Sequence, residues 1–151
     1  SKEYLSGNIA REFRFNIWIN AINFIKINPI FGFGAGIFPM IYLLKKGNWV
    51  GHTHNLFLEL AFNYGIFLAF IIFIFIVILI FKSFYLLKNS FLKEDFNTSL
   101  FNKAWWSSAV LLVLSQMVDL QYYDGRVSMT LWLLLSGLLS IIKEKELNLE
   151  S

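Results

Sequence analysis

Both histidines of the chain fall within one four-residue stretch, His52-Thr53-His54-Asn55, directly before a long apolar run. Imidazole changes charge near neutral pH, so a histidine placed there can take a proton from an attacking hydroxyl or donate hydrogen bonds to a phosphate. The same residues also read as helix punctuation, with Asn55 as an N-cap and the histidines as interfacial polar groups. Metal ligation has little behind it. His-Glu-x-x-His is absent, cysteine is absent, and Glu59 is the one further ligand nearby, so neither a metal nor another cofactor is expected.

Arg11 and Arg14 form the second feature. A guanidinium stays charged and grips phosphate oxygens in pairs, which suits a diphosphate held at a membrane surface; it equally suits a helix whose cations meet lipid headgroups. The glycines of Phe31-Gly32-Phe33-Gly34-Ala35-Gly36 follow Asn28-Pro29 and are spaced G-x-G-x-G, so they fail the dinucleotide fingerprint. They let the backbone turn sharply or come close to a ligand. Asp119, Asp124 and Arg126 make a last cluster, in which the acids could meet an acceptor sugar, act as a base, or pair with Arg126. Glu59, one turn into an apolar run, is costly in lipid and should face protein or a water-filled cavity.

The elements that must position these groups are those of a membrane protein. Of 151 residues, 57% are hydrophobic, 19% aromatic and 15% charged, and the mean hydropathy is +0.59. A net charge of +3 without a basic run gives no footing for nucleic acid. Three spans are expected, at about residues 55–81, 104–122 and 127–142, the first reaching about 40 Å against a hydrocarbon core of about 30 Å. Trp105 and Trp106 suit an interfacial belt, and Asp124-Gly125 suits a hairpin turn between the second and third spans.

Lys82, Lys88, Lys93, Lys103, Lys143 and Lys145 argue for a cytoplasmic 82–103 loop and C-terminus. Residues 1–54 and 123–126 then lie outside. Six further cations, Lys2, Arg11, Arg14, Lys26, Lys45 and Lys46, run against that count, which is explained if they have work on the outer side. Residues 9–27 read as an amphipathic helix with Ile9, Phe13, Ile17, Phe24 and Ile25 on its apolar side, ended by Asn28-Pro29. The chain opens at Ser1 without a signal-peptide pattern, which suggests a start inside a longer protein. The expected fold is therefore all-α and integral to the membrane. An extracytoplasmic loop segment with an amphipathic helix (1–54) leads into a three-span region (55–151), together a fragment of a larger polytopic bundle.

Taken in order, Arg14-x-x-x-Trp18, Asn28-Pro29-x-x-Gly32-x-Gly34-x-Gly36-x-Phe38, His54-Asn55-x-x-Leu58 and Gly65 resemble the O-antigen ligase and O-antigen polymerase superfamily of bacterial membrane proteins. The Asp124-Gly125-Arg126 hairpin extends the likeness over most of residues 11–137. The resemblance implies a multi-pass protein of the bacterial inner membrane. Its activity would be metal-independent transfer of a glycan from an undecaprenyl-diphosphate carrier, at the periplasmic face, to a lipid A core or a growing polysaccharide. It further implies that Arg14, with Arg11 beside it, holds the diphosphate and that His54 serves the acceptor hydroxyl, with His52, Asn55, Asp124 and Arg126 auxiliary. The remaining helices of the full-length protein and membrane lipid would be its other partners. A rival reading is a membrane transport module of the inorganic-carbon type. The apolar middles of all three spans speak against it, because transporters place ionisable groups there.

Overall fold

The computed structural model describes residues 2–89 and 95–150, with side chains described over 12–88 and 95–147. Lys2, Ile9, Arg11 and Lys93, on which the sequence reading drew, lie outside the described side chains. Among the described residues there are six helices and no strand: α1 (Lys2–Ile25), α2 (Phe38–Lys46), α3 (Leu56–Tyr64), α4 (Ile66–Asn89), α5 (Phe96–Val118) and α6 (Gly125–Glu150). The chain forms two compact units, Ser1–Ile72 with Gln116–Leu120, and Phe73–Ser115 with Gln121–Ser151.

The first unit is built on an aromatic cluster. Ile17, Ala21, Phe24 and Ile25 recur at helical spacing and bury one stripe of α1, while Phe13, Phe15, Ile19 and Ile22 stay exposed. The apolar residues of α1 therefore do not segregate onto one side as expected, and Phe13 is not part of the buried stripe. Phe62 of α3 stacks on Phe33 at 4.9 Å and meets Phe38 of α2 edge-on at 5.0 Å, with Phe24 of α1 at 6.4 Å. Each such pair adds about 0.5–1.5 kcal/mol to the burial of its rings.

Where the sequence suggests one helix through residues 55–81, the chain makes two, broken at Gly65. The break is a matter of backbone pairing. The carbonyls of Phe62 and Asn63, which would otherwise end α3 without partners, accept the N–H groups of Phe33 (2.8 Å) and Gly34 (2.9 Å). The first N–H of α4, on Ile66, donates to the carbonyl of Pro29 at 2.8 Å. Two chain segments can approach this closely only where side chains are missing. A Cβ on Gly32 would stand 2.6 Å from backbone atoms of Phe62 and Asn63, and one on Gly65 would overlap the carbonyl of Ile30; both glycines also have positive φ, +68° and +92°. Asn28 closes the loop by donating its side-chain amide to the Gly32 carbonyl.

Among the described residues two helices are long and apolar enough to cross a membrane, over Ile66–Lys88 and Gly125–Leu147. At 1.5 Å per residue each 23-residue stretch reaches about 35 Å. Most of their side chains are not buried within the chain, and Phe67, Ile71, Ile74, Ile78 and Phe81 of α4 stand exposed. A surface of that kind requires lipid or further helices against it. α5, which covers the second expected span, is not among the helices that qualify; its first half carries Asn97, Thr98, Ser99, Asn102 and Lys103. In the second unit α5 meets α6 where Gly137 has no side chain. The Trp105 indole lies over that gap and donates to the Leu134 carbonyl at 3.0 Å.

Candidate active site

The turn before α3 is held by its own polar groups. Asn55 caps the helix, its Oδ1 accepting the Leu58 N–H at 3.0 Å. Glu59, buried in the first turn of α3, reaches back to accept the Thr53 N–H at 2.9 Å and also accepts from the Asn63 amide at 3.3 Å. The Thr53 hydroxyl donates to the Asn55 carbonyl, and the His54 N–H donates to Nδ1 of His52 at 3.2 Å. Glu59 thus faces protein, as its cost in lipid requires, and its task is to close this turn.

Closed in this way, the turn forces His54 to φ +56°, the one positive φ outside glycine among the described residues. Left-handed backbone costs an ordinary residue roughly 1–2 kcal/mol. The surrounding network holds it there, and strain of this kind collects where a side chain has to be aimed.

His54 is aimed at Asp119. Its Nδ1 lies 3.0 Å from the Asp119 Oδ1, with 26% and 48% of the two side chains exposed. Asp119 follows the last residue of α5 directly, and Asn55 fastens that segment in place by donating its Nδ2 to the Met117 carbonyl at 2.8 Å. One asparagine therefore both caps α3 and ties the two segments that carry the pair. The hydrogen bond from His54 holds the Asp119 carboxyl below its ordinary range; burial opposes it as the next-largest effect, and the charges of His54, Arg14 and His52 add smaller pulls downward. In the tautomer that carries its proton on Nδ1, His54 donates that proton's hydrogen bond to an ionised Asp119 and keeps the lone pair on Nε2.

His52 packs against His54, with ring centroids 4.2 Å apart. Burial lowers its pKa first and the neighbouring His54 second, while Glu59 and Asp119 act weakly the other way. A neutral His52 whose Nδ1 accepts the His54 N–H carries its proton on Nε2. The two imidazoles thus stand side by side, His54 held by Asp119 and His52 by the His54 backbone N–H.

Arg14 is half-buried on α1, and its charge is among those that lower the Asp119 carboxyl. His52, His54, Asn55 and Arg14 all belong to the first unit together with Asp119. Arg11 lies outside the described side chains. Asp124 and Arg126 belong to the second unit, where they pair with each other at 3.2 Å at the head of α6. Among the described residues no three His, Cys, Asp or Glu side chains gather as metal ligands would.

Asp119 as the partner of His54 escaped the sequence reading, which grouped it with Asp124 and Arg126. A signal was present: Asp119 is the first acid beyond the second apolar run, at the end that the charge count puts on the same side as His54.

Residues 6–73 match a family model described as O-antigen ligase. No curated protein and no solved structure matches the chain. The matched stretch runs from α1 into α4 and holds Arg11, Arg14, the glycine loop, His52, His54 and Asn55, whereas Asp119 lies beyond it.

Proposed function

We propose that the chain, whose residues 6–73 match a family model described as O-antigen ligase, is part of a membrane glycosyltransferase. The enzyme would move a glycan from an undecaprenyl-diphosphate carrier to a lipid A core or growing polysaccharide at the periplasmic face. The observation that carries this reading is the His54–Asp119 pair, built on a strained turn inside the matched region. An acceptor hydroxyl attacks the anomeric carbon, a new carbon–oxygen bond forms, and the bond to the diphosphate oxygen breaks with its electron pair leaving on the diphosphate. Nε2 of His54 takes the hydroxyl proton, and Asp119 stabilises the imidazolium that results.

Arg14 supplies positive charge for the leaving diphosphate, joined by Arg11 and by cations elsewhere in the full-length protein. A diphosphate is already a good leaving group, so neutralised charge and one base are sufficient chemistry. His52 directs its Nε2–H at the acceptor or the phosphate, and Asn55 positions the base. Asp124 and Arg126 serve as an auxiliary pair at the periplasmic hairpin. In this reading α4, α5 and α6 all cross the membrane, with residues 1–54 and 123–126 periplasmic and the 82–103 loop and C-terminus in the cytoplasm of a bacterial cell.

The test is His54→Ala in the full-length protein, read as glycan attached to lipid A core or polymer in cells with equal membrane expression. Loss of attachment is expected, and near-normal attachment refutes the reading. Arg14→Lys should also lower attachment, because an ammonium does not reproduce the paired grip of a guanidinium.

A further inference from the structure

The turn that packs on the α3–α4 junction has an apolar tip with no part in the His54 site. Asn28 and Gly32 bond to each other in both directions, the Gly32 N–H donating to the Asn28 carbonyl at 3.2 Å and the Asn28 amide to the Gly32 carbonyl. Between them stand Pro29, Ile30 and Phe31. Ile27, Ile30 and Phe31 are 61%, 56% and 80% exposed, a concentration of apolar surface that a turn facing water avoids. Pro29 has no N–H, and its carbonyl accepts the Ile66 N–H at 2.8 Å, so this residue brings no unmet backbone group to the tip. The same bond fixes where the tip lies. Ile66 is the first residue of the apolar stretch Ile66–Lys88, which is long enough to cross a membrane. Together with the close approach of Gly65 to the Ile30 carbonyl, it holds Ile30 and Phe31 beside the first turn of α4, where Phe67 and Ile71 are also exposed.

We propose that the Pro29–Phe31 tip dips into the leaflet that α4 enters, with Ile30 and Phe31 among the upper acyl chains. The proposal rests on α4 crossing the membrane in the glycosyltransferase reading. Continuity selects lipid as the occupant, because the tip widens the exposed apolar surface of α4 at the end where that surface begins. Exposed Lys26, next to Ile27, suits the phosphates that lie over such a tip. An inserted tip gives the first unit a second hold on the bilayer besides α4 itself. α3, nine residues between its caps Asn55 and Gly65, spans about 15 Å, so the turn that carries His54 stays within about that distance of the α4 entry point. A diphosphate attached to a membrane lipid lies in that zone.

Spin labelling separates lipid, water and protein surroundings. The chain has no cysteine, so Phe31→Cys, in a full-length protein freed of any other cysteine and reconstituted in bilayers, carries a single nitroxide. Its relaxation is read with oxygen, which concentrates among acyl chains, and with a neutral nickel chelate, which stays in water. The label at position 31 should relax with oxygen and lose relaxation by nickel. Ile30→Cys should give the same result, and serves if Phe31→Cys fails to fold. Ile74→Cys, exposed in the middle of α4, is the reference within the span and should be sheltered from nickel. Nickel access at position 31 with a sheltered position 74 overturns insertion of the tip while α4 stays in the membrane. Nickel access at position 74 overturns the crossing of α4, and the proposal with it. Access of neither reagent to position 31 means that protein covers the tip, which also overturns the proposal.

Discussion

Asp119→Asn is the most discriminating change in the proposed site, because it removes the charge that His54 faces while keeping an oxygen to accept its Nδ1–H. Two unit charges about 4 Å apart interact by about 4 kcal/mol near a protein surface and about 1 kcal/mol in water. Asp119 is 48% exposed, so its interaction with an imidazolium at His54 falls between those limits and toward the lower one, about 2 kcal/mol. Stabilisation realised only as His54 takes the proton appears in the rate, and about 2 kcal/mol is roughly thirtyfold. Asp119→Asn should therefore slow single-turnover glycan transfer by the purified full-length protein roughly thirtyfold, with little change in the apparent affinity for the lipid-linked donor. His54→Asn tolerates the left-handed backbone and has no base, so it should lose about 100-fold to 10,000-fold. Once His54 is gone Asp119 has nothing left to orient, and the double variant should be no slower than His54→Asn alone. Full activity in Asp119→Asn, or losses that multiply in the double variant, would refute a pair acting as one unit.

The closed turn and the glycine contacts give three further expectations. Gly65→Ala should lower thermal stability sharply, by about 3 kcal/mol or more, since its Cβ would overlap the Ile30 carbonyl; Gly36→Ala, with a similar positive φ but open space around it, should lose only about 1–2 kcal/mol. His52 has a lowered pKa in the folded chain, so below about pH 6.5 the unfolded chain binds more protons and stability rises with pH. Thermal unfolding between pH 5 and 7 should show that slope, and His52→Gln should flatten it; the depressed Asp119 carboxyl acts in the same direction but only around pH 4 and below. Because the chain has no cysteine, Asn48→Cys provides a single label, which a membrane-impermeant maleimide should reach from the periplasmic side; labelling from the cytoplasm alone would invert the proposed topology.

How much of this was legible in sequence depended on how far apart the interacting residues lie. α4 and α6 were legible because unbroken apolar composition makes a spanning helix without reference to anything else. The N-cap at Asn55 and the end of α1 near Asn28-Pro29 were legible for the same reason, being local rules obeyed locally. The break at Gly65 was not: apolar residues flank it on both sides, and its cause is backbone pairing with residues 29–34, about thirty positions away. The His54–Asp119 pair spans 65 positions, and no periodicity encodes such a contact. α1 misled in another way, since exposed Phe13, Phe15, Ile19 and Ile22 add apolar residues to every side and blur the stripe that is in fact buried.

The glycine series bears on where the proposed diphosphate would be held. Backbone N–H groups in a glycine-rich turn can cradle phosphate, but only if they point outward and remain available. Here the Phe33 and Gly34 N–H groups are consumed by the carbonyls of Phe62 and Asn63, and the Gly32 N–H by the carbonyl of Asn28. The space that Gly32 and Gly65 leave is filled by the chain's own backbone, with no room for a ligand. These glycines therefore act on the site indirectly: they let the 28–36 loop pair with the α3–α4 junction, which fixes α3, whose first turn in turn fixes His54. Negative charge on a donor must then be met by side-chain cations such as Arg14. In the proposed topology, this is a physical reason for residues 1–54 to retain positive charge on the side of the membrane where Lys and Arg are otherwise sparse.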